Sequence, residues 1–421
     1  MKKYQAYKDS GIEWIGEIPE HWSVLKYKRL FSVSSGDFLI SEEKAIDENN
    51  GFPVYGGNGL RGYSKNHNYE GQLILIGRVG AKCGNIHLVD GKYWVSEHAL
   101  RVKKKVNYDD FYMRYLLELT NFNQFAITTA QPLLNSEIVL DRKSILPPIE
   151  EQKIIASFLD QKTSEIENLI KKKNQLIALL KEERTAIINN AVTKGINPNV
   201  KLKESGVEWI GEIPEHWVVT RLANFGKFLK GRGISKADLT ELGVSVILYG
   251  DIYTKYNLKT DEVIRKTSPE TAENSIRIYE YDLLFTASGE TKEDIGKCIC
   301  YLGNEEVFAG GDVVILRQNI NESLYLSYIF NSYNIIAQKA RLSKGEIVVH
   351  IYASQLRNIA FGLPHRKEQR EILDYLEKKT FELDTIISKA EKEIELMKEY
   401  KTALISEVVT GKIDVREEIL S

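Results

Sequence analysis

Fifteen consecutive residues of this chain occur twice almost unchanged. Lys8–Trp22 reads KDSGIEWIGEIPEHW and Lys203–Trp217 reads KESGVEWIGEIPEHW, differing only at Asp9/Glu204 and Ile12/Val207. A fold that uses one segment twice needs approximate internal symmetry, so the duplication constrains the architecture before any secondary structure is assigned. A second set of landmarks follows: Leu146-Pro147 with Leu363-Pro364, Glu151-Gln152 with Glu368-Gln369, Lys162-Thr163 with Lys379-Thr380, and Thr185-Ala186 with Thr402-Ala403. The first set is offset by 195 residues and the second by 217, so the stretch between them is longer in the second half. Residues 23–145 and 218–362 do not align by eye. Repeated parts then carry packing and symmetry, and the unlike inserts carry whatever must differ between the halves.

From Glu150 the chain reads as a long amphipathic helix with apolar residues at Ile155, Leu159, Ile166, Leu169, Leu176, Leu180, Ile187 and Ala191. Pro147-Pro148 and the acidic pair Glu150-Glu151 mark its start, and Lys194-Gly195 its end. The counterpart carries Ile372, Leu376, Leu383, Ile387, Ile394, Met397, Leu404 and Val408, opens after Pro364 and ends at Thr410-Gly411. Each should run about 40 residues, or roughly 60 Å. A helix that long with a narrow apolar seam needs a partner, and an antiparallel intramolecular coiled coil supplies one. The alternative is that each helix packs on its own globular domain. Lys162, Lys173 and Lys379 interrupt the seam, either fixing register or facing solvent over buried stems. A rod of fixed length between two globular units would act as a ruler.

The first insert is rich in turns and short β-like runs, among them Val54–Gly62, Leu73–Gly80 and Tyr93–Leu100, which fits a mixed α/β domain with a curved sheet. Asn58, Arg61, Lys65, Asn66, His67, Arg78 and Lys82 cluster around its glycine loops, and such side chains read base edges or hold phosphates. The second insert offers Lys230, Arg232, Ser235, Lys236, Tyr249, Ser288, Thr291, Lys292, Arg341 and Lys344 in its own loops. Asp251 and Glu290 are not phosphate ligands, although carboxylates can accept from cytosine N4 or organise neighbouring cations. Taken singly, loop residues of this kind are more often solvated than bound to a ligand, and Asp251 and Glu290 are equally well structural.

Composition fits a folded protein, with 43% hydrophobic and 28% charged residues. The formal net charge of −2 means that a phosphate-facing surface must come from segregating charge. No run approaches a membrane span, and Met1–Gln5 lacks a signal-peptide core, so a cytoplasmic location is expected. Cys83, Cys298 and Cys300 form no Cys-x-x-Cys pair and read as buried or half-buried thiols, with no metal site. Gly57–Gly62 matches G-x-G-x-x-G but does not open a helix, and Gly289 to Lys297 has the wrong interval for a phosphate-binding loop. An Asn-Pro-Pro-Tyr or Asp-Pro-Pro-Tyr segment beside a flipped adenine is also missing, so no catalytic site is expected.

The duplicated boxes, the Leu-Pro-[Pro/His]-x-x-Glu-Gln lead-ins, the two long helices and inserts such as Val54–Gly59 together resemble the specificity subunit of a Type I restriction-modification system, over essentially the whole chain. The resemblance implies an α+β architecture. Two α/β target recognition domains with curved sheets (1–148 and 196–365) are joined by two long antiparallel coiled-coil helices (149–195 and 366–412) in a pseudo-twofold repeat, with a tail at 413–421. It implies a non-catalytic subunit that binds double-stranded DNA, each domain reading half of a split asymmetric site while the helices set the spacer. It implies, too, that two methyltransferase subunits dock on the helical region and that two motor-nuclease subunits can complete a restriction complex. S-adenosylmethionine, ATP and Mg then belong to those partners, and this chain carries no cofactor. A competing reading, favoured by the near-neutral charge, is a coiled-coil scaffold joining two protein-binding domains without nucleic acid.

Overall fold

The computed structural model describes residues 2–39, 44–45, 47–80, 82–127 and 132–418; of the expected tail, 419–421 lie outside the described residues. Two compact units divide the chain: Met1–Asn174 with Glu391–Ser421, and Gln175–Ala390. The division runs through both long helices, Ile149–Lys194 and Arg366–Val409, so each unit contains the N-terminal turns of one and the C-terminal turns of the other.

The duplicated segments build one device twice. In the first unit Tyr7–Asp9 pairs with Glu17–Pro19, and Ser10 caps the turn between them through a bond from Ile12 N to Ser10 Oγ (3.1 Å). Leu202–Glu204, Glu212–Pro214 and Ser205 repeat this in the second unit, with Val207 N to Ser205 Oγ at 3.2 Å. The box ends on a tryptophan that is wholly buried in both copies. Trp22 Nε1 donates to Glu151 Oε1 (3.1 Å), and His21 Nε2 lies 2.8 Å from Glu151 Oε2. Trp217 Nε1 and His216 Nε2 meet Glu368 at the same distances, 3.1 and 2.8 Å. The box therefore grips a carboxylate in the first turn of a long helix, where free backbone N–H groups favour negative charge. The adjoining glutamines do the rest. Gln152 accepts from Asp109 N (2.9 Å) and donates to Pro147 O (2.8 Å). Gln369 accepts from Glu322 N (3.0 Å) and donates to Pro364 O (3.0 Å).

Asp109 and Glu322 open the helices Asp110–Thr120 and Ser323–Phe330, whose first tyrosines reach the end of the other long helix: Tyr112 hydroxyl to Val409 O (3.2 Å) and Tyr325 hydroxyl to Val192 O (3.4 Å). Gly411 then leaves the helix with φ +75°, and a Cβ there would lie 2.4 Å from Pro19 Cδ. The cores show the same sharing. In the first unit Trp22, Tyr27 and Phe122 pack with Ile155 and Leu159 of one long helix and Leu404 and Val408 of the other. In the second, Trp217, Phe285 and Phe330 pack with Ile372 and Leu376 and with Ala191 and Val192.

Between the helices the seam is antiparallel. In the first unit Glu167 pairs with Lys401 and Lys173 with Glu393, one number rising as the other falls. In the second, Arg184 pairs with Asp384 at 3.0 Å. Arg184 and Lys401, and Glu167 and Asp384, are each 217 residues apart, so the two cross-helix pairs are repeat-equivalent. Lys173 thus bridges the helices, whereas Lys162 and Lys379 pair within their own helix with Glu165 and Glu382 at the solvent face. The expected seam of the second helix is buried or half-buried throughout. In the first, Leu169 and Leu176 are exposed, and Ile170 and Ile177 take their places one residue on.

The inserts, unalignable in sequence, share one topology. In the first unit the strands Ile86–Val89, Leu73–Gly77, Ala99–Lys104 and Phe31–Ser35 form a sheet in that order. In the second, Cys298–Tyr301, Leu283–Thr286, Val313–Arg317 and Lys227–Lys230 do the same, with Lys259–Thr260 added at one edge. Each unit has a companion five-stranded sheet with one parallel pairing, Phe52–Gly56 with Lys92–Val95 and Val244–Ile247 with Val307–Ala309. The extra length of the second half has an identifiable place. Phe52–Gly56 turns directly into Gly59–Ser64, whereas after Val244–Ile247 come the helix Tyr249–Thr254, the edge strand Lys259–Thr260 and the helix Pro269–Glu273. All three cysteines are buried.

Replacing Glu151 by Ala strands the buried Trp22 indole and also the Tyr4 hydroxyl, which donates to the same carboxylate oxygen at 2.5 Å. The expected loss is about 3 kcal/mol in chemical denaturation, at the rate of roughly 1–3 kcal/mol per stranded group. Glu368 serves two groups rather than three and is more open, 22% against 5% exposed, so Glu368→Ala should cost measurably less. Equal losses would show that Tyr4 adds nothing to the clamp.

Candidate nucleic-acid interface

In the first unit three loops meet at one end of the four-stranded sheet. They are the turn Gly57-Asn58, the segment after Leu73–Gly77, and the turn before Ala99–Lys104. Arg78 N donates to His98 O (2.9 Å), and the Arg78 guanidinium donates to Ser35 Oγ (3.0 Å) and Glu97 O (3.3 Å). A Cβ on Gly57 would lie 2.9 Å from His98 O, and one on Gly77 2.6 Å from Gly57 O, so the loops touch backbone to backbone. Asn58, Arg78 and Lys82 are gathered here, and Arg61 folds its stem over Gly56. Lys65, Asn66 and His67 are not. They follow the far end of Gly59–Ser64, where the His67 ring packs on Phe52 at 4.8 Å. The G-x-G-x-x-G match lies along this hairpin rather than at a helix start.

The second unit builds its cluster at the equivalent end of its own sheet. Lys230 closes Lys227–Lys230, Ala287 follows Leu283–Thr286 and donates from its N to Asp312 O (2.8 Å), and Asp312 precedes Val313–Arg317, the places of Ser35, Arg78 and His98 in the first unit, while Ser288, one residue on, takes the place of Val79. The Ser288 hydroxyl is buried, donating to Asp312 Oδ2 (2.8 Å) beside His350 Nδ1 (2.9 Å), while Lys230 Nζ stands 3.4 Å from Asp312 Oδ1. The helix Tyr249–Thr254 packs alongside: Thr286 Oγ1 donates to Tyr253 OH (2.7 Å), and Tyr249 is 39% exposed at its start. Thr291 and Lys292 sit in the exposed loop beyond Gly289, with Thr291 bonded to Asp294 (3.0 Å), and Lys344 begins a hairpin described below. Arg232 holds Asn274 O (2.9 Å). Ser235 is spent on capping its own turn with Asp238 (2.6 Å), Lys236 follows it, and Arg341 lies over Trp209 of the duplicated box at 5.4 Å. Asp251 is buried near Arg265 Nε (3.4 Å), and Glu290 is exposed.

Several groups at these edges escaped sequence reasoning. His87 lies beside Gly59, 3.4 Å from where a Cβ would be. Burial, with Lys82 nearby, pulls its pKa below the ordinary imidazole range, and its Nε2 has no partner among the described residues. His98, His350 and Asp312 were missed as well. The signal was present: the chain has only seven histidines, and three of them reach these two sheet ends. Lys339 is fully buried and ties the loop carrying Thr291 and Lys292 to the core, donating to Gly296 O (2.7 Å) and Phe330 O (2.9 Å).

Comparison with known proteins places this arrangement in a class. The family model for the Type I restriction modification DNA specificity domain matches residues 19–178 and again 214–396, and the chain belongs to that family. The Type I restriction enzyme MjaVIII specificity subunit of Methanocaldococcus jannaschii is 28% identical over 371 residues, 82% of this chain and 80% of that one. The EcoprrI specificity subunit of Escherichia coli is 31% identical over 165 residues, 38% of this chain and 40% of that one. A solved structure, described as concerning complex assembly and conformational transition of the type I R-M system, superposes with a TM-score of 0.71 at 14% identity, covering 94% and 99% of the two chains. The fold is therefore that of specificity subunits, and this chain is a DNA sequence-specificity subunit of the Type I class. A scaffold that ignores nucleic acid is not favoured. Among the described residues no helix is long and apolar enough to cross a membrane.

Burial brings the Lys339 pKa down to about 8 in the folded chain, from an ordinary 10.5. Between these values the unfolded chain binds the extra proton, so Lys339 should make stability rise with pH from about 8 to 10.5, by on the order of 3 kcal/mol. Chemical denaturation of the wild type and Lys339→Met across that range should show the rise only in the wild type. Parallel curves would mean that Lys339 keeps one protonation state.

Proposed function

We propose that each sheet end reads one half of a bipartite, asymmetric DNA site, and that the paired long helices set the unread spacer and dock two methyltransferase subunits. The observation that carries this reading is one topology bearing unlike side chains at equivalent places. Ser35, Arg78 and His98 in the first unit stand where Lys230, Ala287 and Asp312 stand in the second. Equal frames with unequal chemistry suit two different short sequences, because base edges are told apart by donor and acceptor patterns. Arg61, Lys82, Lys292 and Lys344 are exposed and suited to the phosphates that position a protein on duplex DNA.

Repeat-equivalent apolar residues on the long helices support the docking of two copies of one partner. Leu169 is 48% exposed and Ile386, 217 residues on, 47%; Leu179 is 63% exposed and its counterpart Leu396 54%. Each unit thus presents one residue from each pair. Methyl transfer to adenine, with the base extruded from the duplex, is then work for the partners, as is any motor-nuclease step. S-adenosylmethionine, ATP and Mg are assigned to them.

Exchanging residues 23–145 for the insert of another family member should change one half-site and leave the other intact when genomic DNA is read by modified-base sequencing. Adding one heptad near Lys173 and another near Ala390 should change the number of unread base pairs. Loss of both half-sites in the first experiment, or an unchanged spacer in the second, would overturn the corresponding part of the reading. Binding of the complex to its target should also fall steeply with salt, and salt-insensitive binding would contradict phosphate contacts.

A further inference from the structure

We propose that the hairpin Lys344–His350 of the second unit enters the major groove and seats Ile347 against the 5-methyl group of a thymine, an assignment that rests on the DNA-reading function above. Ile347 is 91% exposed and its neighbour Val348 51%, at the tip of a turn rather than scattered on a surface. The turn is held firmly. Lys344 N donates to His350 O (2.9 Å) and His350 N to Lys344 O (2.7 Å), closing a narrow ribbon. Gly345 has φ +102°, and a Cβ there would come within 2.1 Å of Val348 O, so only glycine allows this tip. Fixing an aliphatic side chain in water gives no folding advantage, which points to a surface that covers it on binding.

The ribbon springs from the edge assigned to DNA. Val349 and His350 pair with Gly289 and Ser288, and the His350 imidazole is fixed by the Ser288 hydroxyl that also holds Asp312. The Tyr352 ring lies nearly parallel to His350, at 14° and 6.3 Å between centroids. Lys344 at the base of the ribbon and Lys292 in the loop beyond Gly289 are exposed cations, while Glu346 at the tip is an exposed carboxylate. Cations at the base and a carboxylate with aliphatics at the tip suit a ribbon whose base meets phosphate and whose tip meets base edges. The major groove admits a two-stranded β-ribbon and displays the thymine methyl. The minor groove does not display it.

The test uses the complex of this chain with its methyltransferase subunits and duplexes carrying its own target, with each thymine of the second half-site replaced in turn by deoxyuridine, which lacks only the methyl group. Wild-type affinity should drop about fourfold at one position, the effect of losing one buried methyl contact. Ile347→Ala should be weaker on the unsubstituted target and insensitive to deoxyuridine at that position. Leu242→Ala, at another exposed aliphatic (83%), should behave as wild type. Unchanged target affinity for Ile347→Ala, or equal deoxyuridine losses in both proteins, overturns the hairpin assignment while leaving the DNA-reading function standing. A wild-type complex that does not prefer its target over random duplex overturns both. Loss of the methyltransferase subunits from Ile347→Ala on size exclusion, with deoxyuridine sensitivity retained, assigns the tip to a protein partner and overturns the proposal.

Discussion

A carboxylate in the first turn of each long helix is the contact on which the rest of each unit depends. Glu151 and Glu368 accept from the box tryptophan and meet the box histidine, and the glutamine after each fastens the insert through the first backbone N–H of its helix. One pair of helical residues thereby orients the box, the insert and the helix together. The geometry also explains why these stretches stayed nearly identical. A hydrogen-bonded clamp needs a particular donor at a particular distance, and a substitution leaves a polar group unpaired. Tyr4 has no counterpart, because the position 195 residues on is Asn199. The clamp of the first unit therefore has one more donor and a deeper carboxylate.

Apolar packing is less demanding, which is why the inserts could lose their sequence resemblance and keep their topology. Leu73–Gly77 (LILIG) and Leu283–Thr286 (LLFT) occupy the same place in the same sheet, and any run of buried β-forming side chains serves there. Alignment by eye looks for identity and finds none. The pairing of Tyr112 and Tyr115 with Tyr325 and Tyr328 at an offset of 213, between the two offsets already visible, was the available clue. Tyr112 and Tyr325 each reach the last turn of a long helix, a role that requires a hydroxyl and so kept the residue.

The helices were legible in extent but only partly in phase. Steps of three and four residues carry a seam from Ile166 to either Leu169 or Ile170, and both choices are apolar. Burial follows Ile170, Lys173 and Ile177, which places a lysine in the seam and leaves Leu169 and Leu176 outside. That phase is set across the helices, by Lys173 with Glu393 in one unit and by Arg184 with Asp384 in the other. Partners 200 and 220 residues apart cannot be chosen from the periodicity of one helix. Charged residues at seam positions specify register at some cost in stability. Their repeat-equivalent placement, Arg184 with Lys401 and Asp384 with Glu167, makes that specification symmetric.

The candidate site divides along the same lines. Loop residues with reading chemistry could be found by type, so Asn58, Arg78, Lys82 and Lys344 stand at the relevant ends. His98, Asp312 and His350 arrive from neighbouring strands and become visible only once the pairing is known. Sequence also ran Lys65–His67 together with Asn58, although a strand of six residues separates them by about 20 Å. What distinguishes the two ends is backbone economy. In the first, glycines at 57 and 77 let three loops touch backbone to backbone, and the Arg78 guanidinium lies along this low surface against Ser35 and Glu97. In the second, the helix Tyr249–Thr254 replaces the short turn, while the ribbon closed by Lys344 and His350 has its counterpart in the pairing of Ile127 with Leu133 in the first. Because the clamp and sheet are common to both, either end can change its chemistry without disturbing the frame that holds it.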